Sequence, residues 1–171
     1  MRKVLVLLVA FAIVAAIHEG AHALTALAYG EYKAFHVKPY GFEVEYETPV
    51  EERQGAKWAV ISGAGNLLTC LLGYVLLLRR KWFSRAPSQF LRGSAYWLTL
   101  LALLADPLNL SFGPFLYGGD ANGIAVGLGV SLFAVQIGSF VVLLLNRELI
   151  VQKLFLAYGV QTRHFLFRPL F

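Results

Sequence analysis

An apolar run near the start of the chain holds the feature that most constrains the fold. The run covers residues 4–29 and is long enough to cross a bilayer as a helix. Its second half contains His18-Glu19-Gly20-Ala21-His22, which matches the pattern H-E-x-x-H. Ionisable side chains within a spanning helix are costly and are usually functional. The sequence therefore predicts a polar site at membrane depth.

The spacing of this motif indicates a zinc site. On a helix, His18 and His22 lie one turn apart on the same face, so their imidazoles can bind one Zn²⁺. Glu19 is then placed to take the proton of a zinc-bound water. The alternative is a buried hydrogen-bonded cluster of His and Glu side chains that holds helices together.

Composition favours a multi-pass membrane protein. The chain has 171 residues, of which 58% are hydrophobic and only 15% charged, which is too apolar for a soluble domain of this size. The net charge of +5 is compatible with nucleic-acid binding, but the basic residues cluster at the ends of apolar runs. We therefore expect a lipid bilayer around the chain and no nucleic-acid partner. With Cys70 as the one cysteine, an intrachain disulfide and a cysteine-based metal cage are both excluded.

Hydropathy predicts one integral-membrane domain over residues 1–171, an all-α polytopic fold with about four transmembrane helices. The predicted spans are residues 4–29, 56–78, 93–105 and 121–145. The third is expected to end at Asp106, because Pro107 interrupts a helix. Residues 146–171 mix basic with apolar side chains and are expected to lie along the interface as a C-terminal tail.

Residues 34–47 predict a short β-hairpin at the membrane surface, after the first span. Its centre, Pro39-Tyr40-Gly41, is rich in turn residues. Apolar and acidic side chains then alternate along the chain: Phe42, Glu43, Val44, Glu45, Tyr46 and Glu47. This period of two is typical of a strand with one apolar face and one acidic face.

Antiparallel spans bring the suspected polar groups into one half of the bilayer. We call the side on which the first span begins side A and the opposite side B. The H-E-x-x-H motif lies towards side B. So do Asn66 near the start of span two, Asp106 at the end of span three and Asp120 at the start of span four. Simple antiparallel packing of the spans is therefore enough to bring these polar groups together.

A catalytic zinc needs a third protein ligand and an open position for water. Asp120 is the best candidate, because Gly118-Gly119 before it permit a tight backbone approach and a helix follows it. A plain N-cap is the structural alternative for Asp120. Asp106 is the runner-up, with a turn before Pro107 as its alternative role.

The second span opens with Ser62-Gly63-Ala64-Gly65-Asn66, and small residues at this density let another helix approach closely. Asn66 is a polar group at membrane depth that needs a partner. It either stabilises helix packing through a hydrogen bond or points into the metal site of the first span.

These features together resemble the site-2 protease family of intramembrane zinc metalloproteases, in particular its small members without a PDZ domain. The likeness rests on H-E-x-x-H in the first span, the hairpin, the segment ending at Asn66, and Gly118-Gly119-Asp120. The resemblance implies that His18, His22 and Asp120 are zinc ligands, with one zinc per chain. It also implies that Glu19 is the general base and that Asn66 positions the substrate or the oxyanion.

The chain departs from the family pattern in two places and in its charge bias. The family's third ligand lies in a loop that ends Leu-Asp-Gly, whereas Asp120 is followed by Ala121, and the glycine before Asn66 has an unusual offset. Most Lys and Arg residues fall on side A, so the positive-inside rule predicts cytosolic termini and an outward-facing site. The family usually places its site nearer the cytosol.

The leading hypothesis is a zinc metalloendopeptidase that cleaves a membrane-protein or peptide substrate in or near a transmembrane segment. Glu19 would activate the zinc-bound water, and the strand at residues 42–46 could hold the substrate by β-augmentation. The alternative is a non-catalytic zinc-binding membrane protein or scaffold related to such proteases. A structural four-span scaffold without metal is the third possibility.

Overall fold

The computed structural model describes residues 2–39, 41–117, 119–162 and 164–169, which are mostly helical. Within these ranges, four helices are long and apolar enough to cross a membrane, by length and composition. They are Val4–Ala28, Lys57–Leu78, Gln89–Phe115 and Leu132–Tyr158. The first two agree with the predicted spans, whereas the third and fourth differ from them.

The elements follow one another in a simple order. The first part of the chain forms α1 (Arg2–Ala28), β1 (Tyr32–Lys38), β2 (Gly41–Tyr46), α2 (Lys57–Leu78) and α3 (Arg80–Ser84). The second part forms α4 (Gln89–Phe112), α5 (Gly119–Leu128), α6 (Leu132–Leu149), a π-helical segment (Ile150–Phe155) and α7 (Leu156–Tyr158). Short 3-10 turns occur at Val50–Glu52, Gly113–Phe115 and Phe165–Phe167.

The predicted hairpin is confirmed. Strands β1 and β2 pair antiparallel, with Phe35 opposite Val44 and Lys38 opposite Gly41. The first strand begins at Tyr32, slightly earlier than expected. Val44 is buried on the side that packs against α1. Tyr40, in the predicted turn, lies outside the described residues.

The prediction that the third span ends before Pro107 is wrong, because α4 runs through this proline to Phe112. Proline removes the N–H that would bond the carbonyl four residues earlier, here that of Leu103. The side chain of Asn146 on α6 donates to this carbonyl over 2.8 Å. A helix can continue through proline where a neighbouring helix satisfies the freed backbone group, and Asn146 does so here.

The predicted fourth span at residues 121–145 is also wrong, because two helices occupy this region. Helix α5 ends at Leu128, and Gly129 follows with a φ of +64°, a left-handed conformation that favours glycine. Ser131 then caps α6 by accepting a hydrogen bond from the amide of Ala134. The long helix therefore begins at Leu132, eleven residues after the predicted start.

The tail predicted from Asn146 onwards is likewise displaced. The helical chain continues to Tyr158 and stops at Gly159, whose φ of +66° breaks it. Its inner face joins a core cluster with α2 and α4, formed by Leu77, Leu103, Ile150, Val151, Leu154 and Phe155. These residues are therefore part of the core and not of a tail, and the last helix ends before Gly159.

Contacts along α6 and the π-helical segment that continues it show that this helix runs antiparallel to α4. Gln136 donates to the carbonyl of Ser111 near the end of α4, Asn146 meets Leu103 in the middle, and Phe155 stacks on Tyr96 near the start of α4. The fourth long helix thus runs from side B to side A.

Candidate metal centre

Three helices meet around the H-E-x-x-H motif in the half of the bundle towards side B. Helix α1 supplies His18 and His22, and α5 supplies Asp120 from its first turn. Helix α2 lies against α1 here because Gly65 has no side chain. A Cβ at position 65 would lie 2.6 Å from His22 Nε2 and 2.8 Å from the His18 carbonyl oxygen. The small residues of α2 therefore permit the close approach that the sequence predicted.

Helix α5 runs in the opposite sense to the predicted fourth span. Along α2, Asp120 lies beside Asn66, Gly123 beside Ser62, and Gly127 beside Ala59. Helix α5 therefore begins deep in the bundle and runs outwards to side B, antiparallel to α2. Asp120 is the second residue of α5 rather than its cap. Gly118, expected to aid the backbone approach, lies outside the described residues.

The ligand-type atoms of His18, His22 and Asp120 form a small triangle. The two Nε2 atoms are 3.0 Å apart, and each lies 3.2 Å from Asp120 Oδ2. Two His nitrogens and one carboxylate oxygen are typical ligands of a catalytic zinc.

The size of this triangle fits a tetrahedral zinc. With zinc–ligand distances of about 2.0–2.2 Å, ligand atoms in a tetrahedron lie about 3.3 Å apart. The observed separations of 3.0–3.2 Å are close to that value. Lone pairs facing one another at this range repel unless a proton or a cation lies between them. The residues present therefore fit a zinc ion.

Each imidazole has a polar partner at its other nitrogen, which is a hydrogen bond for His22 and an ion-pair contact without hydrogen-bond geometry for His18. His22 Nδ1 donates to the Ile61 carbonyl over 2.7 Å. His18 Nδ1 lies 3.2 Å from Asp106 Oδ1, and the other oxygen of Asp106 accepts from the Thr69 hydroxyl. Partners of this kind fix the tautomer of a metal-binding histidine and raise its basicity. Asp106, the runner-up for third ligand, thus lies on the far side of the His18 ring from the triangle.

Asn66 contacts the site through Asp120. Its Nδ2 donates to Asp120 Oδ2 and to the Ser62 carbonyl, each over 3.0 Å. Its Oδ1 is buried and accepts no hydrogen bond from the described residues. The amide therefore orients the Asp120 carboxylate and presents a spare acceptor.

Glu19 lies between the triangle and the hairpin. Its carboxylate is half-buried and lies close to the backbone of Val44 on β2. The carboxylate therefore lies where the first span, the triangle and β2 come together.

An aromatic and basic group, not predicted from the sequence, lies at the border of the site. The Arg53 guanidinium lies over the rings of Tyr46 and Trp58, at 4.7 and 4.4 Å from their centroids. Burial raises the pKa of the Tyr46 phenol, and the carboxylates of Asp120 and Glu19 raise it further. Tyr46 was recognised only as an apolar strand residue. Its place beside the site depends on how β2 docks on α1, which no local pattern reveals.

Comparison with protein-family models, with curated proteins and with solved structures finds no match to this chain.

Proposed function

We propose that this protein is a multi-pass membrane zinc metalloprotease that hydrolyses a peptide bond in or near a transmembrane segment of its substrate. The observation that carries the proposal is the triangle of His18 Nε2, His22 Nε2 and Asp120 Oδ2, with Glu19 on the same helix as the two histidines. The resemblance of the motifs to the site-2 protease family supports the same activity.

Membrane placement is supported by the four long apolar helices and by their outward faces. Leu24 and Leu78, for example, are 71% and 77% exposed, as expected of side chains that contact lipid. The excess of Lys and Arg on side A favours cytosolic termini. A cysteine tag at either terminus, labelled only from the cytosol, would support that orientation, and labelling from the opposite side alone would reverse it.

In this proposal His18, His22 and Asp120 hold one zinc per chain. A zinc ion bound there lowers the pKa of a water ligand and polarises the scissile carbonyl. Asp106 and the Ile61 carbonyl keep the imidazoles oriented, and Asn66 keeps the Asp120 carboxylate in place. The metal site would thus be preorganised, because each ligand side chain also contacts a second protein group that orients it.

Glu19 acts as the general base. It takes a proton from water while the water oxygen bonds to the carbonyl carbon, and it then gives that proton to the leaving amine as the C–N bond breaks. The Glu19 carboxylate lies close to the backbone of Val44 on β2. A substrate strand on the free edge of β2 would therefore pass beside the base, by β-augmentation.

A non-catalytic zinc-binding membrane protein is the second candidate. The segment around Asp120 favours it, because Asp120 is followed by Ala121 and not by the glycine of the family pattern. Both candidates predict zinc binding, and they differ only in hydrolysis.

Glu19→Gln separates the two candidates. Wild type and variant are purified in detergent with zinc supplied, and zinc per chain and cleavage of a panel of single-span peptides are measured. We expect about one zinc in both proteins and, for the variant, a cleavage rate about 10²–10⁴-fold lower, the usual contribution of a general base. Undiminished cleavage by Glu19→Gln would exclude Glu19 as the base. A zinc-loaded wild type that cleaves no peptide favours the non-catalytic candidate.

A further inference from the structure

A cavity, which we call the groove, lies at the opposite end of the bundle from the metal centre. It has a volume of about 890 Å³ and opens between the start of α1, the start of α4 and the end of the last long helix. Leu5 lines this cavity and precedes His18 by thirteen residues in α1. The cavity therefore lies about 20 Å along the helix axis from the metal centre. This groove takes no part in the proposed hydrolysis.

Arg92 lines the groove and lacks an anionic partner. It is half-buried, and its guanidinium makes no ion pair or side-chain hydrogen bond with any residue in the described ranges. A partly desolvated guanidinium without a partner is costly, and the planar group is suited to a phosphate or a carboxylate.

The surroundings of Arg92 contain almost no negative charge. Of the ten acidic residues of the chain, Glu148 is the one in this half of the bundle, and it pairs with Arg147 over 2.6 Å. Basic residues are plentiful nearby, since α3 carries Arg80 and Lys81 and packs against α4 and α7. The charge around the groove is therefore positive within the described residues, and an anionic ligand would complement it.

The first turn of α4 adds donors beside Arg92. Ser88 caps the helix by accepting from the amide of Leu91, and its carbonyl accepts from the amide of Arg92. The amides of Gln89 and Phe90 make no hydrogen bond within the described part of the chain. Free amides at a helix N-terminus bind phosphate groups well.

The remaining wall of the groove is apolar and aromatic. Leu5 and Val6 of α1 line it together with Tyr96 and Trp97 of α4, and the Tyr158 ring lies against that of Tyr96, with centroids 5.3 Å apart. Tyr and Trp are enriched at the level of lipid headgroups, where one end of the ring system is wet and the other apolar. The groove thus presents a cationic end and an apolar wall at the membrane boundary.

We propose that this groove binds one anionic phospholipid. The phosphate accepts hydrogen bonds from Arg92 and from the first-turn amides of α4, while an acyl chain packs along Leu5, Val6 and Trp97. Basic pockets between transmembrane helices recognise lipid headgroups by this combination of charge and apolar contact. The inference rests on the proposed membrane placement, and it does not require hydrolysis.

The test is lipid binding to the delipidated full chain in detergent, measured by native mass spectrometry. Phosphatidylglycerol and phosphatidylcholine with identical acyl chains are the probes. We expect one phosphatidylglycerol per chain, and binding about tenfold weaker in Arg92→Gln, because a charge-assisted bond to phosphate is lost. Arg85→Gln is the matched control, since it removes the same charge from an exposed residue outside the groove, and it should change binding less than twofold.

Two further variants distinguish lipid binding in the groove from nonspecific electrostatic attraction and from any effect of the metal centre. Ala157→Trp fills the groove without changing charge and should abolish retention, which also provides a test if Arg92→Gln does not fold. Glu19→Gln should bind the lipid as wild type does, whatever the fate of the proposed hydrolysis. Equal retention of the two lipids, equal losses in the two arginine variants, or displacement of the lipid by millimolar inorganic phosphate would each overturn the proposal.

Discussion

His22 Nδ1 lies 2.7 Å from the carbonyl oxygen of Ile61, an atom that can only accept a hydrogen bond. The proton of the neutral imidazole is therefore on Nδ1, and the lone pair is on Nε2, which faces His18 and Asp120. The packing of α2 against α1 thus fixes the tautomer of His22 without a bound cation. A ligand set prepared in this way pays little reorganisation when it binds a metal.

Asp106 and Asp120 are expected to respond differently to the same substitution. Asp120→Asn removes a charged oxygen of the triangle, so zinc should be lost from the purified protein. Asp106→Asn leaves the triangle intact and weakens only the support of His18, so zinc affinity should fall about 10–100-fold. Zinc titration with a competing chelator measures both. Equal losses in the two variants would contradict the separation of ligand and supporting roles.

Gly65→Ala should damage the site, and Gly63→Ala should not. The added Cβ at position 65 would lie 2.6 Å from His22 Nε2, whereas at position 63 no atom lies within 4 Å. We expect Gly65→Ala to destabilise the protein by about 1–3 kcal/mol through overpacking and to lower zinc affinity. Gly63→Ala should be neutral or slightly stabilising, since alanine favours helix. Thermal unfolding in detergent, with and without zinc, compares them.

The ion pair between Glu31 and Lys57 should make stability depend on pH. Glu31 is 6% exposed, and Lys57 Nζ lies 2.5 Å from its Oε1. Lys57, with the amide of Thr48, holds the pKa of Glu31 below its ordinary value of 4.5. Because the folded pKa is the lower one, the stabilisation is complete above about pH 4.5 and is lost as pH falls through the folded pKa.

Glu31→Gln should therefore flatten the stability profile below pH 4.5 relative to wild type. Thermal unfolding in detergent over this range is the measurement, with the exposed Glu51→Gln as control. If the profiles of wild type and Glu31→Gln stay parallel, this ion pair does not contribute to the acid sensitivity.

The sequence predicted the parts of the fold that depend on local pattern. The apolar runs at residues 4–29 and 56–78 and the alternation after Gly41 correspond to α1, α2 and the hairpin. The convergence of His18, His22 and Asp120 followed from the polar groups of the spans, although the assumed direction of the last segment was wrong.

Two kinds of prediction were wrong. Some depended on contacts between distant segments, and others overlooked residues that end or begin a helix. Gly129 and Ser131 mark the end of α5 and the start of α6, and both signals were available in the sequence. Pro107 could not be judged locally, because its helix is completed by Asn146. The place of Tyr46 beside the site likewise depends on the docking of the hairpin on α1.

The bond from Asn146 to the Leu103 carbonyl has a consequence for how the chain is made. These residues are 43 positions apart, so α4 leaves the ribosome well before the side chain that satisfies its backbone. During that interval the carbonyl freed by Pro107 has no partner from α6, and exposing it to lipid is costly. In the proposed membrane placement, we therefore expect α4 to enter the bilayer fully only when α6 has been synthesised, so that the two helices insert together.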